Sequence, residues 1–139
     1  GVNYVFLGRE LGGRPDDPEF YDAEGRVRYD RVAESPLFRQ GIERVEKGIQ
    51  RFRVALMCSE ENPAECHRNL LVGRVLGRRG VELVHIRSDG RLQTQAELDH
   101  ETGRSDRQQK LLFDELKEPP WRSTRSVLPK PQPPSSSES

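Results

Sequence analysis

Between Cys58 and Arg68 the chain reads Cys-Ser-Glu-Glu-Asn-Pro-Ala-Glu-Cys-His-Arg, which gathers two thiols, an imidazole and a guanidinium in one short stretch. A cysteine becomes a nucleophile once its proton is taken, an adjacent imidazole can take it, and a guanidinium binds carboxylate or phosphate in a forked geometry. The window therefore suits thiol chemistry on an anionic substrate, such as a nucleotide. In this reading Cys58 is the nucleophile, and His67 or His85 is its base. Arg14 and Arg68 hold the anion, with Glu60 and Cys66 lining the site. Arg14 qualifies because Arg9-Glu10-Leu11-Gly12-Gly13-Arg14 pairs arginines with glycines that let backbone approach a ligand closely.

Positioning these groups requires particular elements. Val54–Cys58 is a short apolar run that suits a buried strand, and Val81–Ile86 reads as another. Between them, Asn62-Pro63-Ala64-Glu65 has the cap, proline and glutamate of a helix start, and the helix is expected to run to about Arg79, where Gly80 stops it. Strand, helix and strand in that order predict a βαβ unit with parallel strands, whose ends share one edge of the sheet. Cys58 would close one strand and His85 nearly close the other. If the strands are neighbours the two side chains can approach a hydrogen bond; if another strand lies between them they cannot. Residues on a helix turn by about 100° each, so Cys66 and Arg68 are expected to face nearly opposite ways, with Arg68 and His67 leaning over the sheet edge. Cys66, near the positive end of the helix, would be favoured as a thiolate.

The remaining pattern adds a strand over Val2–Leu7 and a helix opened by Ser35-Pro36 that runs to about Arg51 with Leu37, Phe38, Ile42, Val45 and Ile49 in helical period. Ser88-Asp89-Gly90 reads as a turn. Thr94 is expected to cap a helix through His100, and Arg107 to Leu116 to form another. The fold class predicted is α/β, a small parallel or mixed sheet with flanking helices, over residues 1–116. Residues 117–139, rich in proline and serine with Trp121 as the one large apolar anchor, are expected to be a flexible tail.

Basic and acidic side chains balance at 23 each, so no net field draws nucleic acid or an anionic membrane to the whole chain. No apolar run approaches the roughly 20 residues that span a bilayer, and the default expectation is the cytoplasm, where thiols stay reduced. The start at Gly1-Val2, with no methionine and a strand almost at once, is that expected of a piece of something longer.

Plainer alternatives exist for each group. Cys58 and His85 fill packed strand ends, and Arg68 pairs with Glu60 or Glu61. Cys58, Cys66, His67 and His85 would make four zinc ligands, yet the spacing is not that of zinc ribbons or fingers and adjacent Cys66 and His67 rarely share an ion, so no metal is expected. A Cys58–Cys66 redox pair lacks the thioredoxin-type spacing. No cofactor is identified by the sequence. A non-catalytic binding or regulatory module with structural cysteines is the competing function, and nucleic-acid association through the loops and basic tail is a third.

Three segments together resemble one family: Glu10-Leu-Gly-Gly-Arg14, Ala55-Leu-Met-Cys-Ser-Glu-Glu-Asn-Pro-Ala-Glu-Cys-His-Arg68 and Gly80-Val-Glu-Leu-Val-His-Ile86. The chain is similar to the domain of unknown function 488 family over most of residues 1 to 100. The resemblance implies an α/β domain in an intracellular protein, with Cys58, Glu60, Cys66, His67 and Arg68 at the family's most recognisable positions, and it brings no established activity. Members usually begin with a strand and a glycine-histidine-serine type turn, then a second strand ending in an Asp-Val-Arg type motif; both would precede Gly1. Members also often carry a histidine after the last strand, where this chain has Gln93 and Gln95.

Overall fold

The computed structural model describes residues 1–104 and 120–127. Its centre is α3 (Pro36–Arg51), which starts where the Ser35 hydroxyl accepts the Phe38 N–H at 3.3 Å and Pro36 supplies a helical φ without needing a donor. Phe38, Ile42 and Val45 recur on one face and are buried; Leu37 and Ile49, at the margins of that stripe, remain largely exposed. Helix α1 (Gly8–Leu11) lies directly on this face at Gly41, where a Cβ would sit 2.7 Å from both the Glu10 Cβ and the Leu11 Cδ2. Helix α2 (Tyr29–Glu34) adds Tyr29 and Val32 to the same core.

The next helical segment begins later than its sequence predicts. The Asn62 side chain accepts the Ala64 N–H (3.0 Å) and its carbonyl accepts the Glu65 N–H (3.1 Å), which closes a turn over residues 62–65. The Pro63 carbonyl, which an early helix would direct to residue 67, is instead bound by the buried Asn69 side chain at 3.0 Å. Helical bonding starts from the Cys66 carbonyl, which accepts the Asn69 and Leu70 N–H groups. The chain then winds as a π-helix over Arg68–Gly73 and continues as α4 (Arg74–Arg78), burying Leu71, Val72 and Leu76 in the same core cluster as the inner face of α3. Gly80 ends it as expected: at φ +85° it places its own N–H on Gly77 and that of Val81 on Leu76, the paired bonds of a Schellman closure.

The molecule is mixed α/β, but its sheet corrects the parallel βαβ expectation. Among the described residues the one sheet is an antiparallel hairpin, β1 (Val84–Ile86) against β2 (Leu92–Thr94), with His85 opposite Gln93. Val2–Leu7 and Val54–Cys58 carry β-type sequences yet form no strand. A strand exists only with a hydrogen-bonded neighbour, and among the described residues neither segment has one; Val2, Tyr4, Phe6, Val54 and Met57 stand exposed along them. The hairpin turns where predicted, with Gly90 at φ +83° and its N–H on the Arg87 carbonyl. Thr94 then caps α5 (Gln95–Glu101) by exchanging bonds with Glu97, 3.2 Å from the Glu97 N–H and 2.8 Å back to its own. The helix predicted from Arg107 to Leu116 lies outside the described residues.

Within the stretch read as a flexible tail, residues 120–127 are packed on the body. The Trp121 indole donates to the Leu70 carbonyl at 2.7 Å and meets Tyr29 edge-on at 6.4 Å. Ser123 exchanges bonds with Val27, and Arg122 reaches Asp22 at 2.9 Å. One large indole with a buried donor outweighs the disorder tendency of the prolines around it. Among the described residues no helix is long and apolar enough to cross a membrane.

Candidate functional site

The turn over residues 62–65 delivers Cys66 to the first bend of the π-helix, where its carbonyl serves the helix and its sulfur accepts the Arg68 N–H at 3.3 Å. The extended run from Val54 brings Cys58 alongside. The His67 Nδ1 faces both sulfurs, 3.7 Å from Cys58 and 3.9 Å from Cys66. All three donor atoms lie within 4.8 Å of one another. Cys66 is fully buried, while Cys58 and His67 are half-buried, so the cluster opens to solvent on the Cys58 side.

Gly13 packs close against the imidazole: a Cβ there would sit 2.7 Å from the His67 Cγ and Nδ1. The glycine-rich loop thus does come to this centre, and it needs its glycine to do so. Arg14 follows as an exposed residue whose charge is felt by Tyr21, the hydroxyl of which donates to the Pro15 carbonyl.

Burial, with the adjacent Cys58, pushes the Cys66 thiol up to about 12, so it is protonated at neutral pH. Burial also holds the His67 imidazole below its ordinary value, reinforced by the Arg68 charge and opposed by Glu60. It is neutral near pH 7, and Nδ1 is free to accept a thiol proton in the tautomer that keeps its hydrogen on Nε2. Burial raises the Tyr29 hydroxyl well above its ordinary value, with a smaller contribution from Cys66 and Cys58.

Arg68 is a brace. Its guanidinium donates to the backbone carbonyls of Glu60 and Glu61, both at 3.4 Å, and so ties the loop after Cys58 to the helix. The plainer alternative, an ion pair from Arg68 to one of those glutamates, is not what the fold makes: the Glu60 carboxylate meets Arg125 at 3.4 Å, and that of Glu61 meets Arg87 at 2.9 Å and the Ser88 N–H at 3.0 Å. The Arg87 bond holds the Glu61 carboxyl below the usual carboxylate range.

The structure brings Cys58, Cys66 and His67 together, with Glu60 and Arg68 bordering them. His85 is placed otherwise: it is buried in the hairpin and its Nε2 pairs with the Gln95 Oε1 at 2.8 Å. Without parallel strands there is no shared rim to carry His85 to Cys58. The spacing argument against Cys66 and His67 acting on one ion is also set aside by the coordinates, since the sulfur and Nδ1 of these neighbours point inward together. The sequence marks the Gly12-Gly13 pair as a point of close approach but gives neither its contact with His67 nor the positioning roles of Asn69 and Arg68. Asn69 is the more accessible to such reading, an amide inside an apolar helical stripe that a local bond explains.

Neither a curated protein nor a solved structure matches the chain. The family model described as Domain of unknown function DUF488 matches residues 1–75, more than half of the 139, which includes the thiol centre and stops before the hairpin, and the chain belongs to that family.

Proposed function

We propose that the chain carries a thiol-dependent reactive centre in which Cys58 is the nucleophile and His67 its proton acceptor. One observation supports it above the others: half-buried Cys58 has the His67 Nδ1 3.7 Å from its sulfur, while the second thiol is fully buried. In the reaction the Cys58 proton passes to His67 Nδ1 as the sulfur bonds to an electrophilic atom of the substrate. The bond from that atom to its leaving group breaks, and the leaving group takes the proton from the imidazole. Arg68, whose charge already reaches His67, favours a small anionic substrate, and Arg14 adds positive charge at the end of the Gly13 loop.

Alkylation at pH 7, read by peptide mass, tests this. Cys58 should be labelled and Cys66 spared. His67→Ala should slow Cys58 labelling roughly tenfold, at the modest end of general-base effects. Anionic iodoacetate should gain relative to neutral iodoacetamide against a free thiol standard. Equal labelling of both cysteines, or a Cys58 rate untouched by His67→Ala, would sink the reading.

A further inference from the structure

We infer that Cys58, Cys66 and His67 together hold a divalent ion of the zinc type. Tetrahedral zinc, with bonds of about 2.3 Å to sulfur and about 2.0 Å to imidazole nitrogen, needs sulfur and nitrogen roughly 3.5 Å apart and the two sulfurs roughly 3.8 Å apart. The observed sulfur to Nδ1 separations are 3.7 and 3.9 Å, and the full set lies within 4.8 Å. On that geometry the two sulfur–nitrogen separations have to shorten by only a few tenths of an ångström, and the sulfurs, within 4.8 Å of each other, have to close by about 1 Å at most.

The surroundings fit the same assignment. Two sulfurs and an imidazole, with no carboxylate in the set, select zinc over magnesium or calcium. The Arg68 N–H on the Cys66 sulfur is a donor of the kind that orients a metal-bound thiolate, and the Gly13 backbone packs close against the Cγ–Nδ1 side of the His67 ring, which limits its rotation. Three protein ligands leave the fourth tetrahedral position to water or substrate, the arrangement of reactive rather than closed structural sites.

Binding would displace both thiol protons to solvent and make Cys58 a metal-bound thiolate. That consequence for Cys58 reactivity rests on the thiol reading above. The binding of the ion does not, and the two are separable.

The experiment uses the full chain, reduced and stripped of metal. Titration with Co²⁺ should give sulfur-to-cobalt charge transfer in the near ultraviolet and the visible bands of a tetrahedral ion, saturating at one equivalent and displaced by Zn²⁺. Cys58→Ser, at a half-exposed position, and His67→Ala should each weaken Zn²⁺ binding by roughly 10- to 100-fold or more, given that even outer-shell changes cost that much. Circular dichroism checks that both variants fold. Absence of the charge-transfer band in the reduced wild type, or unchanged Zn²⁺ affinity in folded Cys58→Ser, overturns the inference. If Cys58 alkylates selectively without metal but no cobalt site forms, the ion is refuted and the thiol reading stands. If the cobalt site forms and metal-free Cys58 shows no selectivity, the reverse holds.

Discussion

His67 and His85 are both drawn out of solvent, yet their neighbours could hardly differ more. His85, at 7% exposure, has a strong nitrogen-to-oxygen bond to Gln95, whose amide is itself anchored on Asp99 at 2.9 Å. The polar side-chain atoms facing His67 Nδ1 are two sulfurs, which are weak hydrogen-bond partners at 3.7 and 3.9 Å. An imidazole whose Nε2 is bound by an amide oxygen is held in place by that bond. One bordered by thiols retains a nitrogen for proton or metal chemistry. The supports differ as well: the thiol centre stands on the α3 and π-helix core, whereas the hairpin presents Val84, Ile86 and Leu92 to solvent and is tied to the body through Arg87 and Glu61.

The sharpest way to break this contrast is to remove equal bulk from each region. Ile42→Ala, at a fully buried core position, should cost about 2–5 kcal/mol by urea denaturation, and it should expose Cys66 to alkylation as the helix packing loosens. Ile86→Ala, at 64% exposure on the hairpin, should fall within about 0.5 kcal/mol of the parent. Comparable losses from the two variants would show that the hairpin belongs to the core, and the contrast would collapse.

Next in size is the exchange of roles between the histidines. His85→Ala leaves the Gln95 carbonyl oxygen without its partner and should cost about 1–3 kcal/mol, while Cys58 alkylation proceeds at its parent rate. His67→Ala should show the opposite profile, with little loss of stability and slowed Cys58 labelling. Both readouts on both variants are needed, since a thiol rate that fell with His85→Ala would return that residue to the reactive centre.

Elements set by a residue's own immediate bonds were legible in advance. Ser35-Pro36, Gly80, Ser88-Asp89-Gly90 and Thr94 each act within four or five residues, and each does in the structure what its chemistry dictates. Asn62-Pro63 shows the limit of such signals, because an asparagine that can cap a helix can equally close a turn, and the choice was made by Asn69 binding the Pro63 carbonyl. Strand identity is not local at all: Val2–Leu7 and Val54–Cys58 have the composition without the neighbour that would make them strands. The thiols and His67 were readable as reactive types. Their convergence was not, since it depends on Gly13 approaching from a distant loop and on Arg68 gripping the carbonyls of Glu60 and Glu61.

A smaller loss than that of Ile42→Ala or His85→Ala tests whether the hairpin region is independent of the thiol centre. Thr94 links β2 to α5, and its exchange of bonds with Glu97 satisfies two N–H groups that the helix start would otherwise leave open. Thr94→Ala removes the hydroxyl half of that exchange and should cost about 1 kcal/mol, with amide hydrogen exchange accelerated over Gln95–Glu101 first. Because Gln95 on that helix holds His85, fraying should extend to His85 while the Cys58 alkylation rate and any cobalt spectrum stay at parent values. Movement of either thiol readout in this variant would mean that strain passes from α5 through Gln93, Arg87 and Glu61 into the loop beside Cys58, along bonds that do connect them. The two histidines would then belong to one coupled unit, and their different neighbours would no longer imply different functions.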